Sequence, residues 1–396
     1  MSEHNVFKER IRFPIPTREL ERRWGLVREA MKAQGIDLLI MQNDNQFLGG
    51  YVRYFIDIPA EHAYPVSVLF PVDDDITTIF HSSATNPAPP VWSARGVKTR
   101  IGSPYLRTLH YTNDYDAVEM VKVIKARNDK TVGIVGMGLI NAVAYQYLQE
   151  NLPGINWIDA SDLVDEIKAV KSEDELAYVR ESIKVHDAFA SAMPSIIRPG
   201  IYEYEIRSEI KRLLENMGSE EQLIMLGSSP HGLPTPHLDS FFHNRQLGSG
   251  DQIMVMVEAN GPGGFYGELV RTWCLGEPSQ ELLDIWEISK KIQHYAASLL
   301  KPGASPSAII KDINNFMTNH GYPPEGRLFG HGQGYDLVER PAFVPLETMK
   351  LKANMVVALH PILANDKAFA FCCDDYLITE NGAERLSKTP QEIIIL

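Results

Sequence analysis

The chain repeats itself at long range, and that repeat restricts the fold more than any other feature. Arg198-Pro199-Gly200 returns as Lys301-Pro302-Gly303, an offset of 103 residues (301 minus 198). At the same offset Ile206 and Ile210 return as Ile309 and Ile313, and Gly218 returns as Gly321. Each copy reads as a turn, an amphipathic helix and a glycine stop, followed by strand-rich sequence. Two copies of one α-then-β unit predict an α+β domain with pseudo-two-fold symmetry, and a pocket between its halves is the natural ligand site. Just upstream, Ser172-Glu173-Asp174-Glu175 forms a capping box that opens a long helix with Leu176, Val179 and Ile183 on one face.

The first part of the chain has a different rhythm. Thr17 is placed to cap a helix with Leu20, Trp24, Val27 and Met31 at helical spacing, ending at Gly35. Apolar runs at 36–41, 66–70, 76–80 and 131–135 read as strands, and helical stretches separate several of them. This alternation predicts an α/β amino-terminal domain over residues 1–165 and a second domain over residues 166–396. Gly136-Met137-Gly138 follows a strand but lacks the third glycine and the later acid of a dinucleotide fingerprint, so it reads as an ordinary strand-to-helix turn.

Composition removes several function classes. A net charge of −13 over 396 residues argues against nucleic acid or an anionic membrane as the partner. No run reaches the roughly 18 apolar residues that a bilayer span requires. The stretch Met1–Arg10 is charged, without the apolar segment of a signal peptide. Three cysteines, Cys274, Cys372 and Cys373, make no disulfide framework. A reduced, cytoplasmic protein is expected.

Chemistry concentrates in the second domain. Glu258 ends an apolar run, and Glu268 lies inside the next one between apolar neighbours, so both carboxylates are expected to be buried and in need of a partner. For Glu268 the alternatives are a salt bridge to Arg271 or another basic residue, and a role in a pocket. His331 stands in Gly330-His331-Gly332-Gln333-Gly334, where glycines permit close backbone approach. His360 closes the run Met355–Leu359, and His237 sits on a Pro-Thr-Pro-His loop.

Together with the Lys171-Ser172 linker helix, Glu339-x-Pro341 and the closing Leu377–Gly382 segment, these motifs resemble the creatinase, aminopeptidase P and methionine aminopeptidase superfamily. The resemblance spans residues 15 to 390. It implies a creatinase-like amino-terminal domain, a pita-bread carboxy-terminal domain and a homodimer. Metallopeptidases of that superfamily hold two divalent ions with two Asp, one His and two Glu. Carried over, those positions fall at Glu258, Glu268, His331, His360 and Cys373, with Asp374 beside the last, and a second catalytic His falls on Val338.

With only two acids left, the resemblance shifts toward metal-free creatinase and ectoine hydrolase, although creatinase carries an acid where this chain has Val270. The resulting expectation is a hydrolase of a non-peptide C–N bond in a small nitrogenous metabolite, using no cofactor and no dinuclear metal centre. His237, Glu268 and His331 would be catalytic, and Glu258, His360, Cys373 and Asp336 would bind substrate. The alternatives are a single-metal hydrolase or lyase with Glu258, Glu268, His331 and His360 as ligands, an Xaa-Pro-type metallopeptidase, and a binding module with a degenerate site.

Overall fold

The structure, a computed structural model, describes residues 10–104 and 114–396; the charged stretch Met1–Arg10 lies almost wholly outside them. The chain divides into two compact units, Met1–Lys168 and Ala169–Leu396.

The first unit is built on strands β1 (Leu38–Asn43), β2 (Val66–Pro71), β3 (Ile76–His81), β4 (Val97–Ser103), β5 (Thr131–Val135) and β6 (Asn156–Asp159), in the order β4-β3-β2-β1-β5-β6. Its helices are α1 (Thr17–Gln34), α2 (Gly50–Ile56), α3 (Tyr115–Arg127), α4 (Ala142–Asn151) and α5 (Ser161–Lys168). The pairs β1–β5 and β5–β6 are parallel, whereas β1–β2 and β2–β3 are antiparallel. Leu38, Ile40, Leu69 and Val132 pack with Met120, Ile124 and Leu148 of the helices into one core.

Helix α1 starts differently from the sequence expectation. Pro16 occupies its N-cap and Thr17 is already helical, because the Thr17 hydroxyl accepts from Arg95 Nη1 at 3.4 Å instead of capping. The helix stops, as expected, at Gly35 in the left-handed region. Asp37 lies outside β1, its carboxylate accepting the N–H groups of Lys130 and Thr131 at the start of β5.

In the second unit the sequence repeat becomes a structural one. Helices α6 (Glu173–Ile196) and α7 (Glu203–Asn216) precede β7 (Gln222–Ser229), β8 (Gln252–Asn260) and β9 (Tyr266–Cys274). Helices α8 (Gln280–Leu299) and α9 (Pro306–Asn319) precede β10 (Gly330–Gly332), β11 (Glu339–Ala342), β12 (Val356–Leu359), β13 (Ile362–Ala364), β14 (Phe369–Phe371), β15 (Asp374–Thr379) and β16 (Gly382–Arg385). A last strand, β17 (Ile394–Ile395), pairs with β9.

The two halves share hydrogen bonds as well as sequence. Gly200 (φ 87°) donates to Leu247 O at 2.7 Å, and Gly303 (φ 84°) donates to Leu351 O at 2.8 Å. Ser219 N reaches Leu214 O at 3.0 Å, as Tyr322 N reaches Met317 O at 3.0 Å, around Gly218 and Gly321, both at positive φ. Glycine is needed at these turns because the left-handed region penalises any Cβ.

Each half buries its own apolar cluster. The sheet β17-β9-β8-β7 and the sheet β11-β10-β12-β15-β16 meet where Val270 bridges to Cys373. A third, smaller cluster of Met254, Met256, Val270, Ala358, Phe371 and Cys373 fills that junction. The functional groups lie beside it.

One group of the first unit makes a stability prediction. Asp116 is buried, and its Oδ2 accepts from Ser67 Oγ at 2.6 Å and Gln42 Nε2 at 3.4 Å while Oδ1 has no partner. Burial outweighs those hydrogen bonds and raises its pKa from 3.8 to about 6. The folded state therefore holds this proton more tightly than the unfolded chain, so the contribution is complete below about pH 4 and is lost as pH rises through about 6. Asp116→Asn should remove the loss: relative to the variant, the wild type should weaken from pH 4.5 to 7.5 by about 2 kcal/mol in chemical denaturation. Parallel stability–pH curves for the two proteins would refute this.

Candidate metal centre

The site begins with the β8–β9 hairpin. Strand parity puts Val255, Val257, Leu269 and Trp273 against the helices and leaves Glu258, Glu268 and Val270 on the opposite face. Register makes Glu258 and Glu268 direct cross-strand partners, an arrangement that repels when both are ionised. Arg271 does not relieve it. Its guanidinium is fully buried against Asp374, with Nη2 to Oδ1 at 2.7 Å, and also donates to Cys373 O at 3.0 Å. Of the two roles considered for Glu268 from sequence, the ion pair with Arg271 is therefore absent.

The second half brings the imidazoles. His331 sits in the middle of β10, opposite Ala358 of β12. The flanking Gly330 and Gly332 are pressed against Ala358 O and Arg340 O, leaving no room for a Cβ. His331 Nδ1 lies 3.0 Å from Gly332 O, which turns Nε2 toward Glu268 Oε2 at 3.5 Å. His360 follows β12 directly, its N–H bonded to Phe329 O at 3.1 Å, and its ring centroid stands 5.1 Å from that of His331.

Gln293 of α8 fixes this corner. Its Nε2 donates to Leu359 O at 2.9 Å and Cys372 O at 3.1 Å, the carbonyls just before His360 and Cys373.

One donor atom from each of Glu268, His331 and His360 lies within 4.8 Å of the others, and all three residues are buried. Two donors bound at about 2.1 Å to one tetrahedral ion stand about 3.4 Å apart, close to the His331–Glu268 spacing. Electrostatics agrees with a cation here. Burial would raise the Glu268 carboxyl, but His360 and His331 more than offset it and hold it below the ordinary value. Burial lowers His360 to about 4 against the pull of Glu268, so its ring is neutral and keeps a lone pair for a metal.

Burial, Glu268 and Asp375 push Glu258 well up, although the Gln333 amide pulls it back; Glu258 Oε1 and both polar atoms of Gln333 are buried without a well-formed hydrogen bond. Orphaned oxygens beside repelling acids mark a place that a divalent ion would satisfy.

The remaining residues singled out from sequence fall as follows. His237 packs edge-on against Phe371 at 5.4 Å, and the same ring lies 6.2 Å from His360, so His237 shares the site's wall. Its Nε2 has no partner, and burial lowers its pKa against the pull of Glu268. Cys373 is buried with Sγ 4.0 Å from Glu268 O, and burial followed by Glu268 pushes its thiol well up. Asp336 stands in the turn held by Glu339, its N–H donating to Glu339 Oε1 at 3.2 Å, and it is not in the three-residue cluster.

Sequence reasoning missed four groups. Gln333 and Gln293 are uncharged residues with no periodic signal. Arg327 is exposed, and its charge reaches both His237 and His360. Asp375 accepts the Glu268 N–H at 2.8 Å. Its position two residues after Cys373, hence on the same strand face, was the available clue.

With this geometry in hand, comparison with known proteins is informative. The profile of metallopeptidase family M24 matches residues 177–380. The Xaa-Pro dipeptidase of Pyrococcus furiosus is 25% identical over 282 residues, 70% of this chain and 78% of that protein. A creatinase from a Bacillus species is 28% identical over 268 residues, covering 61% and 63%. The prolidase structure from Pyrococcus horikoshii superposes with a TM-score of 0.75 at 20% identity, covering 94% of this chain and 100% of that one. The X-Pro aminopeptidase structure from Thermotoga maritima gives 0.76 at 19% identity, covering 94% and 99%. At these identities the structures establish the fold: an amino-terminal domain and a pita-bread carboxy-terminal domain.

Two expectations need correction. A pocket working without a cofactor is overturned, because Glu268, His331 and His360 converge as metal donors in a chain matched by a metallopeptidase family. Two imidazoles and one acid already form a ligand set, whatever the count of carboxylates. The non-peptide C–N hydrolase is overturned as well, since the creatinase similarity covers less of the chain than that to Xaa-Pro dipeptidases.

Adding Mn²⁺ or Co²⁺ to metal-stripped protein should raise its thermal midpoint by several degrees, since ligand at about 100 times Kd adds about 2.7 kcal/mol. His360→Ala should lose most of that gain. An equal gain in the variant, or none in the wild type, would count against the assignment.

Proposed function

Because the chain belongs to metallopeptidase family M24, we propose that it is a metal-dependent dipeptidase that cleaves the bond between an amino-acid residue and a carboxy-terminal proline. The observation that carries this reading is the convergence of Glu268, His331 and His360. These residues would hold a divalent ion, which when bound would polarise a carbonyl and acidify water.

The chain's own groups supply the rest. His237 is neutral, because burial lowers its pKa, and accepts a proton at its unpartnered Nε2. Glu258, the cross-strand partner of Glu268 with an unpartnered Oε1, would offer the ion a further oxygen, and the proton taken up by His237 would pass to the departing amine nitrogen of proline. Ile362 and Phe369, only partly buried where they pack on the Met254–Phe371 cluster, offer an apolar surface for a pyrrolidine ring. Arg327, exposed and with no side-chain partner among the described residues, is placed to pair with a terminal carboxylate.

Glu339 positions rather than reacts. Its carboxylate takes the N–H groups of Tyr335 and Asp336 and the Lys171 ammonium at 3.2 Å, and so fixes the loop that carries Gln333.

All three cysteines are free and buried, and no described helix is long and apolar enough to cross a membrane; both support a cytoplasmic enzyme. The homodimer expected from the superfamily resemblance stays part of this proposal.

Turnover of Xaa-Pro dipeptides by Mn²⁺- or Co²⁺-loaded protein tests the reading, and a chelator should abolish it. Glu268→Gln should cut kcat/KM at least ~10³-fold with the fold intact. Arg327→Ala should raise KM about tenfold for free dipeptides and leave their carboxamides unaffected. No turnover of any Xaa-Pro dipeptide across these metals would defeat the proposal.

A further inference from the structure

Strand β9 has no continuous strand partner along the edge near Glu268: β17 pairs only with Trp273 and Cys274, and single backbone bonds, Tyr266 N–H to Gly334 O at 2.7 Å and Val270 N–H to Cys373 O at 3.4 Å, flank Glu268. The Glu268 N–H has no strand partner there. The side chain of Asp375 fills the gap: Oδ2 accepts that N–H at 2.8 Å in a fully buried setting. Two residues back, the bridge between Val270 and Cys373 joins the same two segments through the backbone. Asp375 thus extends a one-bridge junction by one hydrogen bond, placed on the backbone of a metal-donor residue.

The fit around this bond is tight. A Cβ on Gly267 would stand 3.0 Å from Asp375 Oδ2 and 3.2 Å from His186 Cε1. His186 is itself anchored, with Nδ1 2.8 Å from Ser182 O. Asp375 Oδ1 is buried and unpartnered, so the carboxylate is held in place by one bond and by its walls.

We propose that Asp375 is a positioning residue for Glu268: by accepting the Glu268 N–H it fixes the height and orientation of β9 at which the Glu268 carboxylate meets His331 and His360. The inference rests on the metal-centre reading above and adds to it a residue outside the donor set. Neighbours of metal ligands typically contribute 10- to 100-fold to metal affinity through such orientation.

The test is Co²⁺ titration of the full-length, metal-stripped protein, followed by visible absorption and calorimetry, with thermal unfolding of the metal-free forms as the check on folding. Asp375→Ala should weaken Co²⁺ binding about 10- to 100-fold and alter the ligand-field bands. Asp375→Asn, whose side-chain oxygen can accept the same N–H, should bind within about threefold of wild type. Gly267→Ala, which crowds the carboxylate without removing it, should behave like Asp375→Ala.

Wild-type affinity in Asp375→Ala overturns the inference alone, as does an Asp375→Asn variant as weak as the alanine. A wild type that binds no Co²⁺ overturns the inference together with the metal-centre reading.

Discussion

The structure turns on a local excess of buried negative charge. Glu258, Glu268 and Asp375 are each no more than about 5% exposed, and each of the other two is pushed up by the charge of Glu268. The buried cation Arg271 is spent on Asp374. Burying one unpaired carboxylate costs several kcal/mol, and a group so placed gives up its charge unless a counter-charge is at hand. Here two acids are driven toward the protonated form. A divalent cation at the junction resolves that imbalance.

The pseudo-two-fold fold makes the junction possible. Each half contributes a sheet, and neither half alone assembles the cluster: the first supplies the facing glutamates, the second the histidines and Asp375. Along the seam the halves are joined by the Val270–Cys373 bridge, the Arg271 bonds across it, the Asp375 side chain and the Tyr266 N–H to Gly334 O bond, and farther out by the Arg180–Glu384 pair and the bonds from Ser387, Lys388 and Thr389 to Asp187. Chemistry therefore sits at the seam, where small shifts of one sheet against the other change donor geometry most.

Much of this was legible in the residues. The offset repeat foretold the two halves because the same turn needs glycine at the same positive φ, and the structure repeats even the flanking hydrogen bonds. Glu258 and Glu268 stood out because a carboxylate between apolar neighbours must be buried, and His331 because glycines crowd its flanks. Asp375 did not stand out. It is adjacent to Asp374, and sequence alone cannot tell that the first acid serves Arg271 while the second turns to Glu268. The metal was misjudged for a related reason. Matching positions to a two-ion pattern made each missing acid count as a lost ligand, whereas a neutral imidazole at His360 donates as well as a carboxylate and brings no charge to be neutralised.

The most direct measurement is anomalous diffraction from crystals soaked in Mn²⁺, collected on either side of the manganese absorption edge. The account predicts a peak within bonding distance of Glu268, His331 and His360 that vanishes below the edge. Ordinary water density in that position at saturating Mn²⁺, with the glutamates and imidazoles hydrogen-bonded to one another, would contradict it.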